Sequence, residues 1–295
     1  GPIVGTGIAF VIGGMVLQVV GDSPPLVLPY FGELAPWQQT FVYLGLPGIL
    51  LSIMILVIRE PSRRPSTRDP ESSSDTEELI NFYKRNFNTI FFHHLGNLSL
   101  VLTGYAFVFW SITFFVRVHE MNAAEASQIF GWIFIFFGPL GPFLVAYVAR
   151  TLSKKGHRDA NITAGMLGGL ITIPAVLIIQ IAPSPFWAFV FYAPALAAVN
   201  SPFGIASGAL PVITPPHLRA RVAAVYMLTG AIGMMFGPPL AGAFNEYIFP
   251  GPEGVRYSMI TMTCFFGITG VVLLQLGRKH YALTMKNAEN WAKNS

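Results

Sequence analysis

At 295 residues the chain has the length of one or two soluble domains, yet 53% of its residues are hydrophobic, 11% are charged and its mean hydropathy is +0.56. A water-soluble core cannot absorb that much apolar surface, so a soluble globule is excluded and a lipid bilayer is the partner that fits. The net charge of +4 comes with no Lys/Arg stripe interleaved with aromatics, which excludes nucleic acid and leaves the basic residues to be explained by membrane topology.

The chain enters an apolar run at Gly1 with no basic segment before it, the pattern of a chain cut upstream. A helix needs about 20 apolar residues to cross the hydrocarbon core. On that measure eight spans are predicted, near Pro2 to Val20, Gln38 to Ile58, Thr89 to Val116, Ile129 to Ala149, Ile162 to Ala182, Phe186 to Ile213, Ala220 to Ile248 and Tyr257 to Leu276. The third, sixth and seventh are long and call for tilt or kinks. The expected fold class is therefore an all-α polytopic membrane protein.

Between the second and third spans lies the one long polar run, 59–87, with a Ser, Pro and acidic middle that predicts a solvated linker. Its last part, DTEELINFYKRNF, has the pattern of an amphipathic surface helix. If the loops alternate sides, every one of the 18 Lys and Arg residues except Arg117 and Arg256 falls on the same side. Basic residues collect in short cytoplasmic loops, so both ends are expected in the cytoplasm, with the protein integral to the plasma membrane, the inner membrane in a bacterium. The predicted organisation is 1–58 as two helices, 59–87 as a cytoplasmic central loop, 88–277 as six helices and 278–295 as a cytoplasmic tail.

An internal repeat is visible. The first span carries Gly5, Ala9, Gly13 and Gly14, and the seventh carries Gly233, Gly237, Ala241 and Gly242 at the same spacing. Gly48 precedes Arg59 by the interval that separates Gly267 from Arg278. Small residues at this spacing let helix backbones approach closely. Spans one and two thus echo spans seven and eight, as if they ended an earlier six-helix copy whose first four helices lie upstream.

Three stretches carry a family resemblance: LPGILLSIMILVIREP (Leu46 to Pro61), WSITFFVRVHEMNAAEA from Trp110, and PPHLRARVAAVYMLTGAIGMMFGPPLAGAFNE (Pro215 to Glu246). In these the chain resembles the C-terminal two thirds of a major facilitator superfamily transporter, most of all its spinster-like branch. The resemblance implies two six-helix halves with the substrate site between them near the midplane, the eight spans here corresponding to helices five to twelve. It also implies a secondary transporter with alternating access for lysolipid-like amphiphiles. A small organic anion or sugar acid as cargo, or a membrane scaffold that does not transport, are the alternatives. One position departs from the family pattern: where a carboxylate is expected before the loop after the fourth span, this chain has Arg150, which leaves the gating contact of this half without its acid.

No HExxH, GxSxG, Walker A or paired-Cys pattern occurs, so neither an enzyme nor a bound metal or cofactor is expected. No carboxylate falls in mid-membrane. His93 and His94 are the only titratable side chains entering a span of the six-helix part with proton chemistry near neutrality, and they are the candidates for linkage to H+, with Na+ the other possible coupling ion. Polar or aromatic residues placed deep in the bilayer by this topology are the candidates for a substrate cavity: Asn97, Tyr105, Phe109, Trp110, Asn200, Tyr226 and Thr229. Gly138, Pro139, Gly233, Gly237 and Pro238 mark kinks or close helix packing at candidate gates.

Overall fold

A computed structural model describes residues 1–30, 32–57 and 73–294, side chains at 73–75, 203–207 and 290–294 excepted. The basic residues Arg59, Arg63, Arg64 and Arg68 of the central loop, and with Arg59 one half of the second repeat match, lie outside the described residues.

Apolar length dictates the architecture. Helices α1 (Pro2–Asp22) and α2 (Pro36–Leu56) are joined by a two-residue ladder, β1 (Val27–Leu28) with β2 (Gly32–Glu33), in which Val27 pairs with Glu33. Tyr30 and Gly32 take the positive φ values, 72° and 74°, that close this tight turn. Helix α3 (Ser73–Arg85) precedes α4 (Phe87–Val118), then α5 (Ala123–Phe137), α6 (Leu140–Lys154) and α7 (Ala160–Gln180). Next come α8 (Pro185–Asn200), α9 (Pro202–Ile213), α10 (Arg219–Ala243), α11 (Gly254–Met262) and α12 (Ile268–Asn294).

Among the described residues seven rods are long and apolar enough to cross a membrane, α5 with α6 and α11 with α12 counting as one each. The remaining predicted span is present as two shorter helices in series, α8 and α9, interrupted at Ser201 where Pro202 can supply no N–H to continue the ladder. The interruption expected from Gly138 and Pro139 is the junction of α5 and α6. π turns at Phe244–Ile248 and Thr263–Gly267 add two more irregularities. The protein is an all-α, multi-pass membrane protein, and its last span runs on without a break into the tail.

Helix α4 is the central column, with α10 and α12 packed along it. Close approach is bought by glycine: a Cβ on Gly237 would strike the Leu102 carbonyl, one on Gly233 the Val101 side chain, and one on Gly270 the Gly96 carbonyl. Ser99, Thr103 and Ser111 of α4 donate to carbonyls four residues back, which is how hydroxyls are satisfied where no water reaches. At one end an aromatic core forms from α4, α5 and α8, where Phe115 stacks on Phe189 at 3.9 Å between centroids and Tyr192 donates to Ser111 Oγ at 3.1 Å.

The two matching small-residue stripes are used differently. Gly233, Gly237 and Ala241 are buried, the first two against α4, and Gly242 meets Trp110. On α1, Gly5 and Gly13 have open space where a Cβ would be, and the close crossing is made by Gly14, the last member of the stripe, with Gly7 from outside it, against Ala124 and Gly131 of α5. The spacing is shared, and the face that finds a partner is not.

Candidate functional site

Two cavities meet along the same side of α4. The larger, about 580 Å³, lies between α4, α9 and α10, lined by Val101, Tyr105, Pro202, Leu210, Pro211, Thr214, Ala223, Tyr226, Met227 and Met234, with Arg219 among them. The smaller, about 250 Å³, continues toward α1 and α8 and is lined by Ile3, Thr6, Gly104, Val108, Phe134 and Asn200. Val101, Tyr105 and Pro202 border both, so the two form one slot. Its walls are apolar apart from hydroxyls, one amide and one guanidinium. Arg219 begins α10, and its Nε donates to the Thr214 carbonyl at 3.2 Å, which aims the group across the end of α9.

Of the residues expected to face a cavity, Tyr105, Asn200 and Tyr226 do line this slot. Asn200 is 4% exposed and spends its Nδ2 on the Leu196 carbonyl at 2.8 Å. Asn97 is buried away from the slot, and its Nδ2 donates to the His93 carbonyl at 2.9 Å. Trp110 lies at the other end of the bundle, where its indole N–H donates to the Pro238 carbonyl at 3.0 Å and its ring borders a separate cleft of about 690 Å³ with Arg117 and Glu246. Phe109 is exposed, and the half-buried Thr229 turns its hydroxyl back to the Val225 carbonyl.

His93 and His94 sit one beside the other on α4 with their Nδ1 atoms 3.4 Å apart. Both rings lie 5.5 Å from the ring of Tyr226, centroid to centroid, and Tyr83 of α3 stands at the edge of His94. His93 is wholly buried, deeper than its sequence position at the start of a span suggests.

Arg150 borders a small cleft with Asn161 and Gly208, and no carboxylate pairs with it among the described residues. One acid at this end of the bundle is Asp159, nine positions on at the N-cap of α7. Arg278 Nε donates to its Oδ2 at 2.7 Å and Thr163 Oγ1 to the same atom at 2.9 Å. Burial works to push the Asp159 carboxyl up, but those two hydrogen bonds outweigh it and hold it below the usual carboxylate range. Arg158 pairs with Glu289 at 3.1 Å, and Tyr281 donates to the Ala209 carbonyl at 2.8 Å, so α7, α9 and α12 are tied together on the side of the bundle where the basic residues collect.

No protein-family model and no curated protein matches the chain. Among solved structures, a bacterial homologue of the human lysosomal transporter Spinster superposes on 96% of it, inward-facing and unoccupied with a TM-score of 0.64 at 20% identity, and inward-facing and occupied with 0.66 at 21%. The chain has the Spinster fold. It spans 68% and 67% of the length of those two structures. Helices α4 to α12 of this chain form a block of six rods, α5 with α6, α8 with α9 and α11 with α12 each counting as one. Sequence reasoning placed Arg219 in a loop; the signal that could have found it is a cation on the first turn of a helix whose next turns carry Tyr226 and small apolar residues.

Proposed function

We propose that this protein is a secondary active transporter that works by alternating access and carries lysolipid-like amphiphiles with an anionic head. The observation that supports this best is the slot, an apolar-walled space of about 580 Å³ continuing into one of about 250 Å³, with a single guanidinium, Arg219, on its lining. Each buried methylene of such a chain is worth about 0.8 kcal/mol, and a guanidinium pairs with phosphate in bidentate geometry. In this reading 1–58 closes one half of the transporter, 88–277 is the other half, and the Arg219 end faces the cytoplasm with both chain ends. H+ or Na+ supplies the driving force.

A small organic anion or sugar acid would also pair with Arg219, but it would leave the apolar wall unfilled and bring hydroxyls that Val101, Leu210 and Met234 cannot satisfy. A scaffold that does not transport needs no slot. The test is uptake of fluorescent lysophosphatidylglycerol by liposomes containing the full-length protein, with gluconate as the competing cargo. Lysolipid flux that falls about tenfold in Arg219→Gln, with gluconate not carried, is the expected result. Gluconate flux alone would replace the cargo, and no flux of either from folded protein would end the transporter reading.

A further inference from the structure

Outside the slot, one cluster of titratable side chains is left without a role. The His93 and His94 Nε2 atoms and the Asn97 Oδ1 atom are all buried with no hydrogen-bond partner. Natural interiors rarely leave such groups unmatched, and three on adjacent turns of one helix point to a missing occupant or a second state.

The chemistry of the pair narrows the choice. The two Nδ1 atoms face each other, so in the neutral pair one ring donates its Nδ1–H and the other accepts. The donating ring then has a bare lone pair on Nε2, while the accepting ring carries its proton there. A proton from water can bind the bare Nε2 without breaking the contact between the rings. The result is an imidazolium donating to an imidazole, a charge-assisted bond stronger than the neutral one. Deprotonation returns that proton to water, and nothing else is consumed.

The surroundings say what balances the added charge. Against the pair stand Tyr226 from α10 and Tyr83 from α3, with Asn97 and the Ile90 carbonyl, which hydrogen-bonds His94, on the same helix, while α12 presents Leu274, Thr284 and, stacked on Phe92, His280 to this stretch of α4. No carboxylate is recorded against either ring among the described residues. An aromatic ring about 5.5 Å away can attract a cation over its π face, but it does not neutralise it. Tyr226 is also a wall of the slot, so an anion held there is the nearest source of compensating charge.

We propose that His93 and His94 form one proton-binding site, coupled through Tyr226 to the slot, which takes up a single proton when an anionic amphiphile binds. This rests on the transporter reading above and commits its coupling ion to H+.

The experiment is calorimetry of lysophosphatidylglycerol binding to the full-length protein in detergent at pH 7, repeated in buffers of different ionisation enthalpy, with zwitterionic lysophosphatidylcholine as the uncharged comparison. Uptake close to one proton per anionic ligand is expected, with a clearly smaller uptake for the zwitterion. In His93→Gln with His94→Gln the uptake falls to near zero, and in Tyr226→Phe, which keeps the ring, it persists. Equal uptake in the double variant, or none in the unmutated protein despite binding, overturns the proton site and leaves the cargo reading intact. Failure of the anionic lysolipid to bind folded protein overturns both. Should the double variant misfold, the side-chain ¹⁵N resonances of the two histidines in unmutated protein decide it: one ring gaining a second N–H on ligand addition supports the site, and unchanged rings overturn it.

Discussion

Helices α2 and α4 are equally apolar, with a mean hydropathy of 1.8 over their best windows, yet 61% of that window is buried in α4 and 6% in α2. In α2 the buried residue is Gln39, whose amide donates to the Leu34 carbonyl, while Leu50, Leu51, Ile53 and Ile55 all face outward. Composition places both in the membrane; it does not say which one is packed by protein. Among the described residues α4 is met by Gly233, Gly237 and Gly270 from two neighbours, whereas the main packing of α2 is on α1 and its own Gly45 and Gly48 meet nothing.

That contrast can be broken most severely in the block around α4. Phe115→Ala removes a ring stacked on Phe189 and should cost about 3–5 kcal/mol, seen as loss of the monodisperse folded species on heating. Gly131→Leu sets a side chain against the Gly7 carbonyl and the Val11 backbone, so it should detach α1 and α2 while the six-rod block stays folded. Limited proteolysis would then cut between α2 and α3 first. A strain of about 1–3 kcal/mol is expected, the range for overpacking a close contact.

A smaller effect sharpens the picture at the basic end. Asp159→Asn should lower stability by about 1 kcal/mol or less, because the tie to Arg278 is partly open to water. Its pH dependence has a definite sign. The carboxyl is held below its usual range when folded, so the stabilisation is present above the unfolded value and is lost as pH falls through the depressed one. Unfolding curves of the two proteins should therefore converge only in strong acid. At the bottom of the scale, Leu50→Ala on α2 should shift the melting temperature hardly at all, since in lipid the side chain exchanges one apolar neighbour for another.

The rods were legible because length and apolarity alone set them, and the predicted ends fall close to the observed ones, as at Pro2–Asp22 and Ala160–Gln180. The break at Ser201 was foreshadowed by Pro202 but merged into one long span. The site was legible in part. Tyr105, Asn200 and Tyr226 could be picked out because polar groups deep in lipid need a reason. Which way a side chain leaves its helix could not be seen, and so Trp110 was grouped with them although its N–H is committed to Pro238 at the far end. Position 150 holds Arg where the family resemblance implies an acid, and the ion pair between Asp159 and Arg278, 119 residues apart, is of a kind that linear spacing does not record.

The interruption at Ser201 divides labour along one rod. Its first piece, α8, is welded by Phe189 and Tyr192 into the aromatic core, while its second, α9, carries Leu210 and Pro211 on the slot wall and takes a hydrogen bond from Tyr281. Because the ladder is broken between them, the two pieces need not share one axis, and the tilt of the slot wall is not fixed by the packing that holds α8.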